Sequence, residues 1–472
     1  MNNERINKWS EAVITGTCSG SVVPRAVFIL FVAALPGGYD LRAQGVAHSP
    51  MRNLTRQQVV WDMKVGWNLG NTMDAPTETG WGNPVTTQAM IDAVKAMGFK
   101  TVRVPVSWTG HFGSAPNYTI NQAWLDRVDS IVNYVLRDSM YAILNSHHDA
   151  ASFPVTAADS AAARDKLARI WTQIATRFRD YGDYLIFETL NEPRGTVNEW
   201  NGGNDQQRGI INAYHLGAVT AIRATGGNNA KRFIMCCTHS ACPLTVAING
   251  LVIPNNDTNV LVSLHTYYPQ GFCLPPVSTT TWGSSADSAN VRSELNREYT
   301  DVTAKGSVAV IGEWASPSSC VLGSRVAHAC YYAQQVRLRG MVPVWWDDGG
   351  QFVLLHRTNP VSWTYPTIAQ ALCSCASSVT AAAPEPPGED KVPPCGLIER
   401  AGVIHYSLTT ASLVSLRVFT LRGGIAATVV NTVQAAGDYE VKLPAGGISS
   451  GNYILEFRAG SNGIAKRLSL LR

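Results

Sequence analysis

Two glutamates stand in short motifs, each directly after an apolar run. Glu192 lies in an Asn-Glu-Pro motif after the run 184–187, and Glu313 lies in a Gly-Glu-Trp motif after the run 308–311. An acidic residue in this position is typical of the C-terminal end of a buried parallel strand. Two carboxylates that face each other across a cleft can hydrolyse a glycosidic bond, since one protonates the leaving oxygen while the other attacks or activates water.

The surroundings expected for the two glutamates differ, and so do their expected pKa values. Burial among apolar neighbours raises the pKa of a carboxyl group, so Glu192 is predicted to stay protonated and to act as the acid. Asn191 offers an amide to the 2-hydroxyl of the sugar, and the alternative is a helix-capping Asn followed by a solvated Glu. Glu313 is predicted to be ionised, with its pKa lowered by Arg103, a cation on an otherwise apolar strand, and by the phenol of Tyr267.

Polar residues after two further apolar runs are expected to line the same cleft. His265 ends one run and shares its face with Tyr267, because strand side chains alternate. A structural, satisfied polar group is the alternative for each of these residues. His147, His148 and Asp149 follow another run and suggest a metal site, but adjacent strand residues point to opposite faces and do not easily share an ion. We therefore predict no metal and no cofactor, and interpret His147 as a donor in the cleft.

Aromatic residues are candidates for the flat surfaces on which sugars stack. The chain has 13 Trp and 16 Tyr, of which most are expected in the core. Trp345 and Trp346 end the last apolar run, and one of them should face inward beneath the sugar while the other packs outward. Trp81, in a long loop after the first run, is either a second platform or part of the loop packing.

The elements that must position these residues alternate along the chain between short apolar runs and longer amphipathic stretches. Helical spacing of apolar residues predicts helices at 87–97, 125–136 and 164–178. This alternation is typical of repeated βα units, and we find no Gly-x-Gly-x-x-Gly phosphate loop. We predict an α/β fold, a (β/α)8 barrel with strands at 65–69, 101–105, 141–145, 185–189, 232–235, 260–264, 308–311 and 342–346.

Composition predicts four segments. Residues 1–44 carry a short apolar run before Pro-Gly-Gly and are interpreted as a secretory leader, with an N-terminal anchor or a misassigned start as the alternative. Residues 55–375 hold the barrel, and 376–396 form a Pro-rich linker. Residues 397–472 alternate apolar and polar positions between Gly-rich turns, which predicts a small C-terminal all-β sandwich.

Bulk composition excludes several classes of protein. Hydrophobic residues make up 45% of the 472 positions and charged residues 15%, which excludes global disorder. The net charge of +4 is scattered, without a basic run interleaved with aromatics, so no nucleic-acid partner is expected. The 10 cysteines lack zinc-site spacing. Together with an export signal, these cysteines predict some disulfides, although the sequence does not show which cysteines pair. If Cys18 is removed with the leader, nine cysteines remain, so at least one would be unpaired.

The motifs in order, from Gly-Trp-Asn-Leu-Gly-Asn-Thr at 66–72 to Trp-Trp-Asp-Asp-Gly at 345–349, resemble glycoside hydrolase family 5 across about 55–375. They are most similar to the bacterial subfamily 4 endoglucanases. The resemblance implies a retaining double displacement with Glu192 as acid/base and Glu313 as nucleophile. Where the family has Trp-Asp-Asn-Gly, this chain has Asp348 in place of the Asn. The substrate-binding residues that the resemblance implies are Arg103, His147, Asn191, His265, Tyr267 and Trp346.

We predict a secreted, extracellular, monomeric endo-β-1,4-glucanase with a β-glucan polysaccharide as its partner and no transmembrane span in the mature chain. Xyloglucanase, lichenase, mannanase and xylanase activities on the same fold are the nearest alternatives. A non-catalytic glycan-binding protein is a further one, although both glutamates and their neighbours are present. Segment 397–472 resembles, more weakly, the tail domains of secreted bacterial enzymes, which implies cell-surface attachment or contact with secretion machinery.

Overall fold

The computed structural model describes residues 45–196 and 199–379, and in the C-terminal part 398–400, 403–408, 412–420, 424–435, 437–443, 448–459 and 462–470. The chain divides into two compact units, within 1–382 and 383–472. The predicted leader and all of the predicted linker beyond 379 lie outside the described residues. Within the described ranges, no helix combines the length and apolar character needed to cross a membrane.

The first unit is built on a closed barrel of eight parallel strands that pair in chain order. The predicted (β/α)8 fold is confirmed, and most of the predicted strands match to within one or two residues. The strands are β1 (Gly66–Asn68), β2 (Thr101–Val104), β3 (Tyr141–Asn145), β4 (Leu185–Glu188), β5 (Ile234–Cys237), β6 (Val260–His265), β7 (Ala309–Trp314) and β8 (Val342–Trp345).

Two strand boundaries differ from the prediction for identifiable reasons. Strand β5 begins at Ile234, because Arg232 before it is a buried cation whose guanidinium donates to the carbonyls of Gly182 and Leu185 at 2.9 and 2.8 Å. Strand β7 continues through Glu313 to its end, with an irregular register against β6 and β8. Glu313 is therefore held by its pairing with β6, where its carbonyl accepts from the Thr266 amide at 3.0 Å.

Amphipathic helices surround the barrel, and the three predicted ones form. On α3, Leu125, Val128, Val132 and Val135 are buried on one face, as their helical spacing requires. Capping boxes begin α1, α5 and α8. The helices are α1 (Arg56–Met63), α2 (Gln88–Met97), α3 (Gln122–Arg137), α4 (Ser160–Arg177), α5 (Asp205–Ala224), α6 (Thr245–Gly250), α7 (Gln270–Cys273), α8 (Ser285–Ala304), α9 (Leu322–Leu338) and α10 (Pro366–Ser377).

A disulfide ties the last two helices of the unit together. Cys330 on α9 bonds Cys375 on α10, and α10 runs on to Ser377, two residues into the segment predicted as linker. The short hairpin of β9 (Leu355–His356) and β10 (Ser362–Trp363) lies between β8 and α10. Among the described residues six further cysteines are free, and all are buried: Cys236, Cys237, Cys242, Cys273, Cys320 and Cys373.

The second unit consists of two antiparallel sheets, with strand orders β11-β12-β15 and β14-β13-β16-β17. Alternate residues of β13, among them Val414, Leu416 and Val418, join residues of β12 such as Ile404 in one buried cluster, so the sheets pack face to face as predicted. The strands are β11 (Ile398–Arg400), β12 (Val403–Leu408), β13 (Ser412–Thr420), β14 (Ile425–Gln434), β15 (Gly437–Lys442), β16 (Gly451–Ala459) and β17 (Asn462–Leu470).

Candidate active site

The two glutamates of the opening motifs meet at the C-terminal end of the barrel. Glu192 lies four residues beyond β4, and Glu313 lies near the end of β7. One oxygen of each carboxylate and a ring nitrogen of His265 all lie within 4.8 Å of one another. Nearest oxygens within 4.8 Å fit the separation of about 5 to 5.5 Å between carboxyl groups in retaining glycosidases better than the 6.5 Å or more of inverting ones.

Arg103 joins the predicted site residues beneath this pair. Its side chain is fully buried on β2, and its Nη1 donates to Glu313 Oε1 at 2.8 Å while its Nη2 donates to Asn191 Oδ1 at 2.6 Å. Nη1 also donates to Asn68 Oδ1 at 3.0 Å, and Nε donates to Glu188 at 2.7 Å. Two carboxylates and two amides therefore compensate a charge that burial alone would make costly.

Tyr267 is a second donor to Glu313. Its hydroxyl lies 3.2 Å from Glu313 Oε2, on the other oxygen from the one that Arg103 contacts. Burial, with the nearby charges of Glu313 and Glu192, raises the pKa of Tyr267, so the phenol stays protonated and donates. Each oxygen of Glu313 thus has its own protein donor, which fixes the orientation of the carboxylate.

The pKa values of the two glutamates differ from the sequence-based prediction, in which Glu192 was the raised one. Burial raises the pKa of Glu192, but the hydrogen bond and charge of His265 outweigh burial, so the pKa is lowered overall. For Glu313 burial also raises the pKa, and the charge of Glu192 adds to it, so the pKa is raised despite Arg103 and His265. The prediction was wrong in direction because it did not place His265 on Glu192.

His265 carries the compensating positive charge. Its Nδ1 lies 2.8 Å from Glu192 Oε1 and 3.6 Å from Glu313 Oε2. Burial lowers the pKa of His265, but the charges of Glu313 and Glu192 outweigh burial and raise it. In the ligand-free site, the group that binds a proton between the two carboxylates is therefore the imidazole.

His147 is a neutral hydrogen-bonding group in the same cleft. Burial and the neighbouring charges lower its pKa well below the ordinary value. Its Nδ1 lies 3.1 Å from Asn145 Nδ2, whose orientation is fixed because Asn145 Oδ1 accepts from the Val106 amide at 3.0 Å. Asn191 Oδ1 accepts from Arg103, so the Asn191 amide nitrogen faces His147 Nε2 at 3.3 Å, and both ring nitrogens lie beside an NH2 group. A neutral imidazole can accept from only one of them, so its other nitrogen bears a hydrogen and can donate.

His147 and His148 do not point to opposite faces, as predicted, but lie side by side. Their ring centroids lie 4.4 Å apart, and Asp74 joins them in a group whose ligand atoms lie within 4.8 Å of one another. Strand alternation does not apply, because β3 ends at Asn145. The amide groups of Asn145 and Asn191, beside Nδ1 and Nε2 of His147, oppose a metal site.

The paired tryptophans lie in different surroundings, Trp345 at the end of β8 and Trp346 directly after it. Trp345 is fully buried and its Nε1 donates to the Phe352 carbonyl at 3.1 Å. Trp346 lies beside the site, with its ring parallel to His147 at a centroid distance of 5.7 Å. A Cβ at Gly70 would come within 2.8 Å of the Trp346 ring, so glycine is needed there. Trp81 is 48% exposed and contacts the ring of His148 at 5.4 Å.

Asp348, where the family has Asn, is used within its own loop. Its Oδ1 accepts from the amides of Gly350 and Phe352 at 2.8 and 2.9 Å. The preceding Asp347 accepts from Trp67 Nε1 at 2.8 Å and pairs with Arg357 at 3.0 Å. Both acids shape the turn after β8 that carries Trp346.

Several polar residues of the site were missed at the sequence level. Glu188, at the end of β4, pairs with Arg103. Arg194 Nη1 lies 3.3 Å from Glu192 Oε2, and the Arg194 guanidinium stacks 4.1 Å from the centre of the Trp200 ring. The signal for Glu188 was present, because a buried arginine requires a partner and an acid on the apolar strand 185–188 is one. The remaining missed residues are Asn68, Asn145 and Ser263.

Comparison with known proteins agrees with this geometry. The model of the cellulase family (glycosyl hydrolase family 5) matches residues 64–351. Cellulase/esterase CelE of Acetivibrio thermocellus is 48% identical over 345 residues, which are 71% of this chain and 42% of CelE, so the chain spans less than half of that relative.

Two solved structures resemble the barrel closely. A GH5-4 broad specificity endoglucanase from Clostridium acetobutylicum has 49% sequence identity and a TM-score of 0.67, with 68% of this chain and 100% of that one covered. ZgEngAGH5_4, solved in complex with a cellotriose, has 46% identity and a TM-score of 0.67, with 69% and 100% covered. These matches include the strands that carry the site. The chain therefore belongs to glycosyl hydrolase family 5, and these structural neighbours are members of subfamily 4.

Proposed function

We propose that this protein is a retaining endo-β-1,4-glucanase that cleaves internal bonds of cellulose-like β-glucans. The observation that carries the proposal is the pair Glu192 and Glu313, with oxygens within 4.8 Å of each other and Arg103 and Tyr267 on the second carboxylate. That spacing leaves no room for a water between nucleophile and sugar, which favours direct attack by a carboxylate.

In the first step Glu313 attacks the anomeric carbon and Glu192 donates a proton to the departing glycosidic oxygen. The carbon–oxygen bond to the leaving sugar breaks as the bond to Glu313 forms, which leaves a glycosyl-enzyme ester. Glu192 obtains its proton from His265, whose Nδ1 lies 2.8 Å away. Burial of the site beneath a bound sugar favours this transfer, because it converts an ion pair into two neutral groups.

In the second step a water attacks the ester carbon and Glu192 takes its proton. Esterification removes the negative charge of Glu313, so the pKa of Glu192 falls and the carboxylate is ready to act as a base. Arg103 and Tyr267 then stabilise the leaving carboxylate as Glu313 is released. The configuration at the anomeric carbon is retained after two inversions.

The substrate class is supported by the aromatic surface and by the relatives. Trp346 lies parallel to the ring of His147, and His147 and Asn191 offer polar groups to sugar hydroxyls. One structural neighbour binds cellotriose, and another is described as a broad specificity endoglucanase. We propose activity on cellulose-like and mixed-linkage β-glucans, with xyloglucan, mannan and xylan as the substrates against which specificity is to be tested.

We further propose that the enzyme acts outside the cell, after export through the leader at 1–44. The Cys330–Cys375 disulfide supports this location, since disulfides persist in oxidising compartments. The second unit serves in this proposal as an anchoring or sorting domain behind the linker at 376–396. Deleting it should release the enzyme from the cell surface and leave its rate on soluble glucan unchanged.

The deciding experiment is product analysis on carboxymethylcellulose, barley β-glucan, xyloglucan and glucomannan in parallel. Internal cleavage lowers viscosity far faster than it releases reducing ends. Retention appears in proton NMR as the β-anomer of the first product, before mutarotation. Release of the α-anomer would contradict the retaining mechanism, whereas exclusive activity on glucomannan would replace the glucanase with a mannanase and leave the mechanism intact.

A further inference from the structure

Arg103 holds a second carboxylate besides that of Glu313. Its Nε donates to Glu188 Oε2 at 2.7 Å, and both side chains of this pair are fully buried. The Arg103–Glu188 contact is as short as the 2.8 Å contact between Arg103 and Glu313. A single guanidinium charge is therefore shared between two carboxylates on neighbouring edges of the same planar group.

Glu188 is itself held firmly below the site. Ser263 on β6 donates to its Oε1 at 2.5 Å, and Asn145 on β3 donates to its Oε2 at 3.0 Å. Together with Arg103 on β2, these donors satisfy both oxygens of Glu188 from three other strands. The carboxylate lies out of contact with solvent, so its charge acts at low dielectric on whatever Arg103 contacts.

We propose that Glu188 is a positioning residue for Glu313: it fixes the plane of Arg103 and limits the positive charge that Arg103 lends to Glu313. An arginine with an uncompensated charge would lower the pKa of the neighbouring carboxylate and so make it a weaker base and nucleophile. With Glu188 on its other edge, Arg103 orients Glu313 and leaves it reactive toward the anomeric carbon. The inference rests on the proposed role of Glu313 as nucleophile.

The substitution Glu188→Gln tests this idea with little change in shape. The amide oxygen of Gln can still accept from Arg103 and Asn145, and its NH2 can donate to Ser263 Oγ, so the hydrogen bonds are kept and only the charge is lost. A purely structural role for Glu188 predicts little effect of such a change. A charge-setting role predicts a shift in the pH at which Glu313 ionises.

The measurement is the rate of covalent labelling by 2,4-dinitrophenyl 2-deoxy-2-fluoro-β-cellobioside as a function of pH. This leaving group departs without an acid, so the rate reports attack by Glu313 and is independent of Glu192. In Glu188→Gln the acid limb should move to lower pH by about one unit or more, and the maximal labelling rate should fall by about tenfold. On polysaccharide, kcat should fall while KM is unchanged, because Glu188 touches no sugar. An acid limb that coincides with that of the parent enzyme would overturn the inference.

Two further variants keep the test decisive. Glu78→Gln removes the charge of a peripheral pair with Arg127, at 2.7 Å, and should leave the pH profile where it is. If Glu188→Gln does not fold, Ser263→Ala removes a donor from Glu188, strengthens its hold on Arg103 and should move the acid limb upward; an unmoved limb there also overturns the inference. Absence of labelling in the parent enzyme would instead refute the proposed function.

Discussion

His265 Nδ1 lies 2.8 Å from Glu192 Oε1, so the acid/base candidate is bonded to an imidazole in the free site. The same nitrogen is 3.6 Å from Glu313 Oε2. This contact links the pKa values of all three groups. The two carboxylates raise the pKa of His265, and the charge of His265 lowers the pKa of each carboxylate. The three groups titrate as one coupled set.

The substitution His265→Ala should move the whole bell-shaped pH profile of kcat/KM to higher pH. Removal of the imidazole takes away a charge that lowers the pKa of both Glu192 and Glu313. Since both carboxyl pKa values rise, the acid and basic limbs shift in the same direction, and activity falls by roughly 10²-fold with the lost proton donor. Steady-state rates between pH 4 and 9 on a soluble glucan measure this. A profile displaced to lower pH would contradict the assigned contacts.

The substitution Glu313→Gln should abolish turnover while sugar binding persists. The amide retains the volume and can still accept from Arg103, but it cannot form the glycosyl ester. A loss of at least about 10⁴-fold in kcat is expected. Calorimetric titration with cellotetraose should give a dissociation constant close to that of the parent. Substantial residual hydrolysis by this variant would exclude Glu313 as the nucleophile.

The substitution Glu192→Gln should separate substrates by their leaving group. Polysaccharide hydrolysis should fall by about 10³-fold or more, because the departing sugar oxygen needs a proton. On 2,4-dinitrophenyl cellobioside the first step should remain fast and the ester should accumulate, which appears as a burst of dinitrophenol. Azide should accelerate the second step, since an anion needs no general base. An equal loss of rate on both substrates would show that Glu192 has a structural role and is not the acid.

Replacement of Trp346 and of Trp81 by alanine should rank their contributions to sugar binding. Trp346→Ala should raise KM by about tenfold or more, because it removes the ring that stacks parallel to His147 beside the site. Trp81→Ala, in a loop against His148, should have a smaller effect that grows with oligosaccharide length. Cello-oligosaccharides of three to six units are suitable substrates. The reverse ranking would place the main sugar platform on the loop after β1.

The substitution Glu298→Gln should stabilise the protein at neutral pH. Glu298 on α8 is fully buried, its Oε2 accepts from Thr266 at 3.2 Å, and its Oε1 has no partner among the described residues. Burial raises its pKa well above the ordinary value. The folded state therefore binds a proton more tightly than the unfolded one, and stability declines as pH rises through the raised pKa.

Gln removes this titration, so the difference in Tm between Glu298→Gln and the parent should grow with pH. We expect little difference near pH 4 and a gain of about 1 to 3 kcal/mol near pH 8, a shift of about 2 °C or more. Thermal scans at both pH values measure it, and other buried groups cancel in the comparison. A gain that is the same at pH 4 and pH 8 would show that Glu298 is not the titrating group.

The barrel, and most of the polar residues that line its C-terminal end, could be predicted from the sequence. Apolar runs of strand length ending in Glu, His or Trp fixed eight strands and the edge at which they meet. Arg103, a cation on an apolar strand, was predicted to have an anionic partner, and Glu313 is one. A guanidinium has five donors, so it can hold a second carboxylate, and that of Glu188 was not predicted.

What the sequence could not supply was distance. The pKa of Glu192 depends on whether an imidazole lies at 2.8 Å or at twice that, and strand alternation says only which side His265 is on. The predicted directions of His147 and His148 were wrong for a related reason. Side chains alternate only within a strand, and β3 ends at Asn145. Local periodicity predicts faces well and loop geometry poorly.

The free cysteines impose an order on maturation. Cys236 and Cys237 on β5 are fully buried, with Cys237 Sγ 3.9 Å from His215 Nε2 on α5, and burial raises the pKa of Cys236 to about 12, so little reactive thiolate remains. Among the described cysteines, Cys330 and Cys375 on α9 and α10 are the pair that oxidises. Under oxidising conditions a thiolate exposed on β5 before the barrel packs would compete for either partner, so burial of β5 favours the native bridge. Correct pairing is then a consequence of folding sequence as much as of proximity.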